Sequence, residues 1–371
     1  MSVQRNEQAL PSQNRREGNV ELLRVVCMLL ILAHHMVYHS AAMQTPNQVN
    51  RVIARFLFAG GMTGVNCFVM ITGWFLAPFR ARRLVATALQ TLFYSVGITA
   101  VLYFTHLRQD VTWETVKNAA LVVSRSPYWF VVMYLGLTAV LPLLQPAVKA
   151  MSRNAHRWVL GAAAVYLCLI PTFTFQNPSS QFFHQFTWFL FLYVLGAYFK
   201  KYPSKFTRCL PLHAAAFLLL IAFMGLSTLW GDDHNDLFQR VGSRQNFFAD
   251  KNTLPQLLCS CALFLFFTGL NVRPCRPLLL LSSASFGVYL IHDHNLLRSF
   301  IWRDWGKVWQ SAQGDDFLWT ALLLPIVIYL ACAAVDTARR FLLERPLMKA
   351  LSPLTDRIDG WIEKENRTQQ D

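Results

Sequence analysis

Four basic side chains lie within a single apolar stretch near the start of the chain. Residues 20–40 read VELLRVVCMLLILAHHMVYHS and contain Arg24, His34, His35 and His39. In a helix, Arg24 and His35 would stand about 16 Å apart along the axis and within about 20° of one face. His39 would fall on the same side, about 40° further round, and His34 about 80° away. Ionisable groups are costly in a membrane-length apolar helix, so this face is predicted to be functional.

Histidine is the usual general base for removing a proton from a hydroxyl group. Because His35 shares a face with Arg24, we expect His35 to act in catalysis. His34 points elsewhere and is interpreted as a packing residue. For Arg24 a simpler interpretation stays open, in which its side chain extends to the nearby membrane interface.

A second polar cluster ends another apolar stretch, SSASFGVYLIHDHNLLRSFIW, which starts at Ser282. The cluster consists of His292, Asp293, His294, Asn295 and Arg298. A carboxylate beside an imidazole can orient a substrate hydroxyl or fix a histidine tautomer. We therefore expect His292 and Asp293, together with the span that contains His35, to shape the external acceptor side of the site. The alternative is a polar cap that meets lipid headgroups.

Three arginines, Arg80, Arg82 and Arg83, follow a glycine-rich apolar segment at residues 56–78. They either determine membrane topology or bind phosphates of a nucleotide-type donor, since the guanidinium fork suits bidentate contacts. The glycines serve close helix packing or the approach of a substrate, and the sequence leaves both open. These glycines are Gly60, Gly61, Gly64 and Gly73.

Composition identifies the class of protein to which these residues belong. Of the 371 residues, 54% are hydrophobic and 15% are charged, which is typical of a polytopic membrane protein. The predicted fold is all-α, a membrane helical bundle of about ten transmembrane helices. The ten predicted spans cover approximately residues 20–42, 56–78, 84–106, 128–146, 158–175, 182–200, 210–230, 254–271, 277–297 and 317–343.

The net charge of +14 does not require a nucleic-acid partner. Most of the 34 lysines and arginines fall in the tails and in alternate loops on one predicted side, which places both termini in the cytoplasm. The eight cysteines show no CxxC or Cys/His spacing, so we predict neither a disulfide framework nor a metal site. The first span is expected to be kept as an uncleaved anchor. Residues 107–127 are expected to include an interfacial amphipathic helix.

The chain resembles the acyltransferase 3 family of integral membrane acyltransferases. Four stretches carry the resemblance in the family's order, and they are spread over almost all of the apolar part of the chain. They are ELLRVVCMLLILAHH, GVNCFVMITGWFL followed by RARR, YWFVVMYLGL, and SFGVYLIHDHNLLRSFIW. The chain is most similar to members that O-acetylate bacterial surface or secreted polysaccharides.

This resemblance implies a bacterial cytoplasmic-membrane enzyme that uses cytosolic acetyl-CoA. The acetyl group would pass to a hydroxyl of a lipid-linked or exported polysaccharide, with membrane lipid around the bundle. By match, Arg24 and His35 carry the family's arginine–histidine motif, and Arg82 or Arg83 matches its basic pair. The implied domains are a cytoplasmic polar tail (1–18), the transmembrane domain (19–345) and a cytoplasmic C-terminal tail (346–371). His34 duplicates the motif histidine, so spacing alone selects His35.

In the predicted mechanism His35 is the general base or a transient acyl carrier, and Arg24 binds a phosphate or neutralises charge at the thioester. Two alternatives remain at this point. The first is a glycan or lipid transporter without acyl chemistry, because intramembrane ionisable groups also mark proton relays. No repeat with paired broken helices is visible, which argues against it. The second is the same enzyme with succinyl-CoA as donor.

Overall fold

The computed structural model describes residues 16–108, 110–121, 128–175, 181–241 and 243–368. The predicted polar tail up to residue 15, the turn at 176–180 and part of the predicted interfacial segment lie outside them. Within the described residues all regular elements are helical, and a long helix is found at each of the ten predicted spans. These are α1 (Gly18–His39), α2 (Gln48–Trp74), α3 (Ala81–Phe104), α4 (Trp129–Ala150), α5 (Arg153–Ala164, continued to Thr174), α6 (Phe182–Lys201), α7 (Leu210–Asp233), α8 (Leu254–Gly269), α9 (Arg276–His292) and α10 (Phe317–Arg339).

Eight of these helical segments are long and apolar enough to cross a membrane. The other two are α6, of 20 residues, and α9, of 17 residues. A final helix, α11, spans Ser352–Thr368. The prediction of an all-α polytopic membrane bundle is therefore confirmed. A short helix, Trp113–Ala119, lies in the predicted interfacial segment and is capped by Thr112.

The start of α2 differs from the sequence-based prediction by about two helical turns. The helix begins at Gln48, because the side chain of Asn47 accepts a hydrogen bond from the backbone N–H of Asn50. Arg55, which precedes the span predicted at 56–78, therefore lies inside the helix and is 5% exposed. Its Nε donates to Asp232 of α7 at 2.9 Å, which pairs the buried charge.

Contacts between loops define two ends of the bundle. At the first, Lys200 Nζ lies 2.8 Å from Glu17, the Asn19 amide donates to the Thr268 carbonyl, and Arg80 pairs with Glu363 at 3.0 Å. We call this the basic end. The basic end contains the start of α1, the start of α3, the end of α6, the end of α8 and the C-terminal helix.

The opposite end contains the C-terminus of α1, and we call it the histidine end. There Thr45 Oγ1 donates to the Ala312 carbonyl, and Arg303 Nε donates to the His39 carbonyl. The two ends reproduce the division of loops that the charge pattern predicted.

Helix α1 lies inside the bundle and packs against α2, α8, α9 and α10. Glycines of α2 make its approach possible. A Cβ atom built on Gly61 would lie 2.3 Å from the His34 ring, and one on Gly64 would lie 2.5 Å from the Cys27 carbonyl oxygen. On the other side of α2, a Cβ on Gly73 would lie 1.9 Å from the Tyr193 carbonyl oxygen. Close helix packing therefore accounts for these glycines.

Candidate active site

A cavity of about 780 Å³ runs along the inner face of α1 from Arg24 to His35. Residues of α2, α3, α4 and α9, together with the helical segment 340–345 that follows α10, complete its wall. Its volume lies in the range of ligand pockets, about 300–1,000 Å³. Arg16, Arg83 and Arg345 line the cavity and are exposed to solvent. The cavity thus opens at the basic end and extends to His35. The predicted common face of Arg24 and His35 is confirmed.

The mouth of the cavity is strongly basic. Five arginines line it against two carboxylates, Glu21 and Glu344; the arginines are Arg16, Arg24, Arg83, Arg340 and Arg345. Arg24 Nε is 3.8 Å from Glu21, and the side chain of Arg24 is 30% exposed to solvent. Arg340 is fixed by Ser283, whose hydroxyl accepts from Nη1 at 2.7 Å and whose carbonyl accepts from Nη2. An excess of guanidinium groups around one opening favours an anionic ligand.

The three arginines predicted to bind the donor have different surroundings. Arg83 lines the cavity. Arg80 instead forms the ion pair with Glu363 of the C-terminal helix, and Arg82 is exposed outside the cavity wall. The structure therefore brings one of the three to the cavity. Arg340 and Arg345 join it, although the sequence pattern placed them only among the charges that set topology.

At the far end of the cavity, the wall residue His35 is hydrogen-bonded to a second imidazole, that of the buried His292. His292 Nδ1 lies 2.7 Å from the Val288 carbonyl oxygen, one turn earlier in α9. A carbonyl only accepts, so Nδ1 of His292 carries the proton, and its Nε2 is an acceptor when the ring is neutral. That Nε2 lies 2.9 Å from His35 Nδ1. His35 Nδ1 is consequently the donor, and the lone pair of neutral His35 resides on Nε2, the nitrogen left to accept a proton.

Asp293 places a carboxylate beside this chain. Its Oδ1 lies 3.7 Å from His35 Nδ1 and 3.4 Å from His39 Nε2. Its side chain is 10% exposed. A nearly buried negative charge at this distance stabilises a positive charge that forms on His35. The structure thus brings His35, His292 and Asp293 together, and His39 joins them on the same face as expected.

His35, His39 and Asp293 also have the spacing of a metal site, since one ligand atom of each lies within 4.8 Å of the others. However, the ligand atom of His35 that faces them is Nδ1, and His292 Nε2 already binds this atom at 2.9 Å. A bound cation would have to displace that hydrogen bond. The geometry of the cluster is fully explained by its own hydrogen bonds and charges.

The neighbouring histidines have packing positions. His34 is 6% exposed; its Nδ1 lies 2.6 Å from the Phe58 carbonyl, and its ring stacks on Phe58 with centroids 4.4 Å apart. His294 is 1% exposed, and its Nε2 lies 3.4 Å from the Ser95 carbonyl. Neither lines the cavity. These contacts agree with the interpretation of His34 as a packing residue.

Several wall residues were missed from the sequence or assigned only to packing. Ser282, Ser283 and Ser285 of α9 line the cavity, although the sequence indicated only a tight helix interface. Tyr289, one turn before the histidine cluster, also lines it, and its buried hydroxyl has no partner among the described residues. The four-residue spacing of Ser285, Tyr289 and Asp293 on one helix face was the available signal.

Comparison with known proteins agrees with this architecture. The model of the acyltransferase 3 family, described as an acyltransferase domain, matches residues 17–336, from just before α1 to near the end of α10. No curated protein and no solved structure matches the chain significantly. The match covers α1 to α9 and nearly all of α10, including Arg24, His35 and Arg83 of the cavity. Arg16, Arg340 and Arg345 of the mouth lie just outside it. The chain therefore belongs to the acyltransferase 3 family and is a multi-pass membrane acyltransferase.

Proposed function

We propose that the protein transfers an acetyl group from cytosolic acetyl-CoA to a hydroxyl of a cell-surface or lipid-linked glycan. The single observation that carries the proposal is the cavity itself, which joins a mouth of five arginines to His35. CoA combines anionic phosphates with a long, narrow arm that ends in the reactive thioester. Phosphates at the arginines and a thioester near His35 match the two ends of the cavity.

In this reaction His35 Nε2 takes the proton of the acceptor hydroxyl. The hydroxyl oxygen then attacks the thioester carbonyl carbon, the carbon–sulfur bond breaks, and the sulfur leaves as the CoA thiol after it receives the proton. The hydrogen bond from His35 Nδ1 to His292 Nε2 holds the ring in the reactive tautomer. Asp293 stabilises the imidazolium that exists between the two proton transfers. If His35 instead carries the acyl group, the same Nε2 is the nucleophile.

The acceptor would reach His35 from the histidine end. With the charge pattern as a guide, the basic end faces the cytoplasm and the histidine end faces outward. His35 lies between them, about 16 Å along α1 from Arg24. The donor and the acceptor would thus meet in the outer half of the membrane, as expected for modification of an exported glycan in a bacterial cytoplasmic membrane.

The proposal is tested with the full-length protein in nanodiscs and radiolabelled acetyl-CoA. We expect saturable release of CoA thiol and transfer of the label to a glycan extract, together with tighter binding of acetyl-CoA than of acetylated pantetheine, which lacks the nucleotide phosphates. Succinyl-CoA in a parallel assay decides the nature of the acyl group. Glycan movement in sealed proteoliposomes that continues without any CoA would contradict the proposal and favour a transporter.

Substitution of Arg83 is expected to weaken donor binding. Arg83→Gln removes one guanidinium from the mouth and should raise KM for acetyl-CoA about 3- to 10-fold, since Arg83 is exposed and screened by solvent. Because the change lies far from His35, kcat should stay within about twofold. Steady-state kinetics in nanodiscs measure both.

Arg82→Gln is the matched control, because Arg82 is the adjacent residue, carries the same charge and is exposed outside the cavity wall. Its KM should equal that of the wild type. Equal increases in KM for the two variants would mean that general surface charge, and not the cavity mouth, attracts the donor.

A further inference from the structure

A buried lysine lies on the opposite side of the cavity wall from the donor path. Lys251 is 8% exposed and belongs to the segment between the short helix Phe247–Ala249 and α8. Its Nζ lies 4.2 Å from the centroid of the Trp129 ring. Trp129 lines the cavity, whereas Lys251 does not. The indole ring therefore separates the ammonium group from the deep end of the cavity.

The backbone around Lys251 is fixed in place. Its carbonyl accepts from Asn66 of α2 at 2.8 Å, and the Asn66 oxygen accepts from Trp188 of α6. The next residue, Asn252, donates to the Leu167 carbonyl at 3.2 Å. Hydrogen bonds to α2 and α5 hold this segment at the histidine end of the bundle, and α6 supports it through Asn66. The position of the lysine side chain is thus built into the fold.

Two side chains here, Lys251 and His184, lack an ionic or hydrogen-bonding partner among the described residues. Among the described residues no carboxylate oxygen lies within 4.0 Å of Lys251 Nζ, although Asp250 acts on it through charge. His184 of α6 is 8% exposed and interacts electrostatically with Lys251, and its buried Nδ1 has no hydrogen-bond partner within the part of the chain that the structure describes. A buried cation without a carboxylate is costly, so an anionic group beside Lys251 would be stabilising.

We infer that Lys251 and His184 form a subsite for an anionic group, a carboxylate or a phosphate, on the acceptor sugar. The inference rests on the proposed acyl transfer to a glycan. An acidic sugar held here would have its charge at Lys251 and its ring beside Trp129, next to the deep end of the cavity that contains His35. The subsite would select acidic over neutral glycans and orient the hydroxyl that is acylated.

The test compares three sugars that differ in charge: glucuronic acid, glucose 6-phosphate and glucose. Wild-type protein in nanodiscs is assayed for acceptor-dependent release of CoA thiol. At least one acidic sugar should act at a concentration about tenfold lower than glucose, which corresponds to one charge-assisted contact of about 1.4 kcal/mol. Which of the two acidic sugars is preferred shows whether the subsite binds a carboxylate or a phosphate.

Lys251→Met should abolish this preference and leave KM for acetyl-CoA unchanged. Replacing a buried charge by an apolar side chain of similar length is often neutral or stabilising, so the variant is expected to fold. Lys251→Arg keeps the charge and should retain the preference. Lys307→Met is the matched control, because Lys307 is exposed in a loop at the histidine end.

A binding measurement without CoA separates the two proposals. The acidic sugar should raise the thermal unfolding midpoint of the wild type and of Lys307→Met more than glucose does, but not that of Lys251→Met. Equal effects of acidic and neutral sugars on the wild type, or a preference that survives in Lys251→Met, would overturn the subsite. Absence of CoA thiol release with every acceptor would instead overturn the acyltransfer proposal, and the binding measurement would still decide the subsite.

Discussion

Replacing His35 with alanine is expected to lower the rate of CoA thiol release by about 10²–10⁴-fold, the usual contribution of a positioned general base. His35 is the imidazole whose Nε2 remains available at the deep end of the arginine-lined cavity. The loss should appear in kcat, with KM for acetyl-CoA nearly unchanged, because the arginines lie at the other end. If His35 carries the acyl group, labelled acetyl-CoA without acceptor should also label the wild type and leave His35→Ala unlabelled.

The adjacent histidine offers a matched control. His34→Phe retains a ring that can stack on Phe58 and loses one hydrogen bond to the Phe58 carbonyl. Its kcat should equal that of the wild type, and its stability should fall by about 1 kcal/mol. Full activity in His35→Ala, or an equal loss of kcat in both variants, would exclude His35 as the specific base.

Much of the fold was predictable because a membrane helix can be identified from the local sequence alone. Ten apolar segments and the alternation of basic loops require no knowledge of tertiary contacts. What escaped prediction depends on such contacts. Arg55 is an example, because its partner Asp232 lies 177 residues later in the chain. The pairing of these two charges cannot be read from either segment alone.

The candidate site shows the same division. Helical phase was sufficient to separate His35 from His34, since the two residues point to different faces of one helix. It did not show which nitrogen of His35 is engaged, because that depends on the register of α9 against α1. Similarly, a run of three arginines could not reveal that Arg80 is turned toward Glu363 and that Arg83 lines the cavity. Local patterns identify the helices and their faces, and packing selects the partners.

The partner of His35 leads to the second large effect. His292→Leu removes the acceptor for His35 Nδ1–H, so the ring is free to rotate or to adopt the other tautomer. We expect kcat to fall by up to about 10⁴-fold, the loss that follows when a catalytic histidine loses the group that fixes its tautomer. KM for acetyl-CoA should not change. The thermal unfolding midpoint, measured in parallel, shows whether the bundle is intact.

Glutamine at the same position separates positioning from simple packing. The amide oxygen of His292→Gln can accept the hydrogen bond from His35 Nδ1, whereas leucine cannot. Both variants lose the bond to the Val288 carbonyl, so a purely structural role of His292 would affect them equally. Partial activity in His292→Gln and a much lower kcat in His292→Leu would therefore show that the lone pair of His292 Nε2 orients the base. Equal rates in the two variants would contradict that role, because an acceptor for His35 Nδ1–H at this position would then have no effect on catalysis.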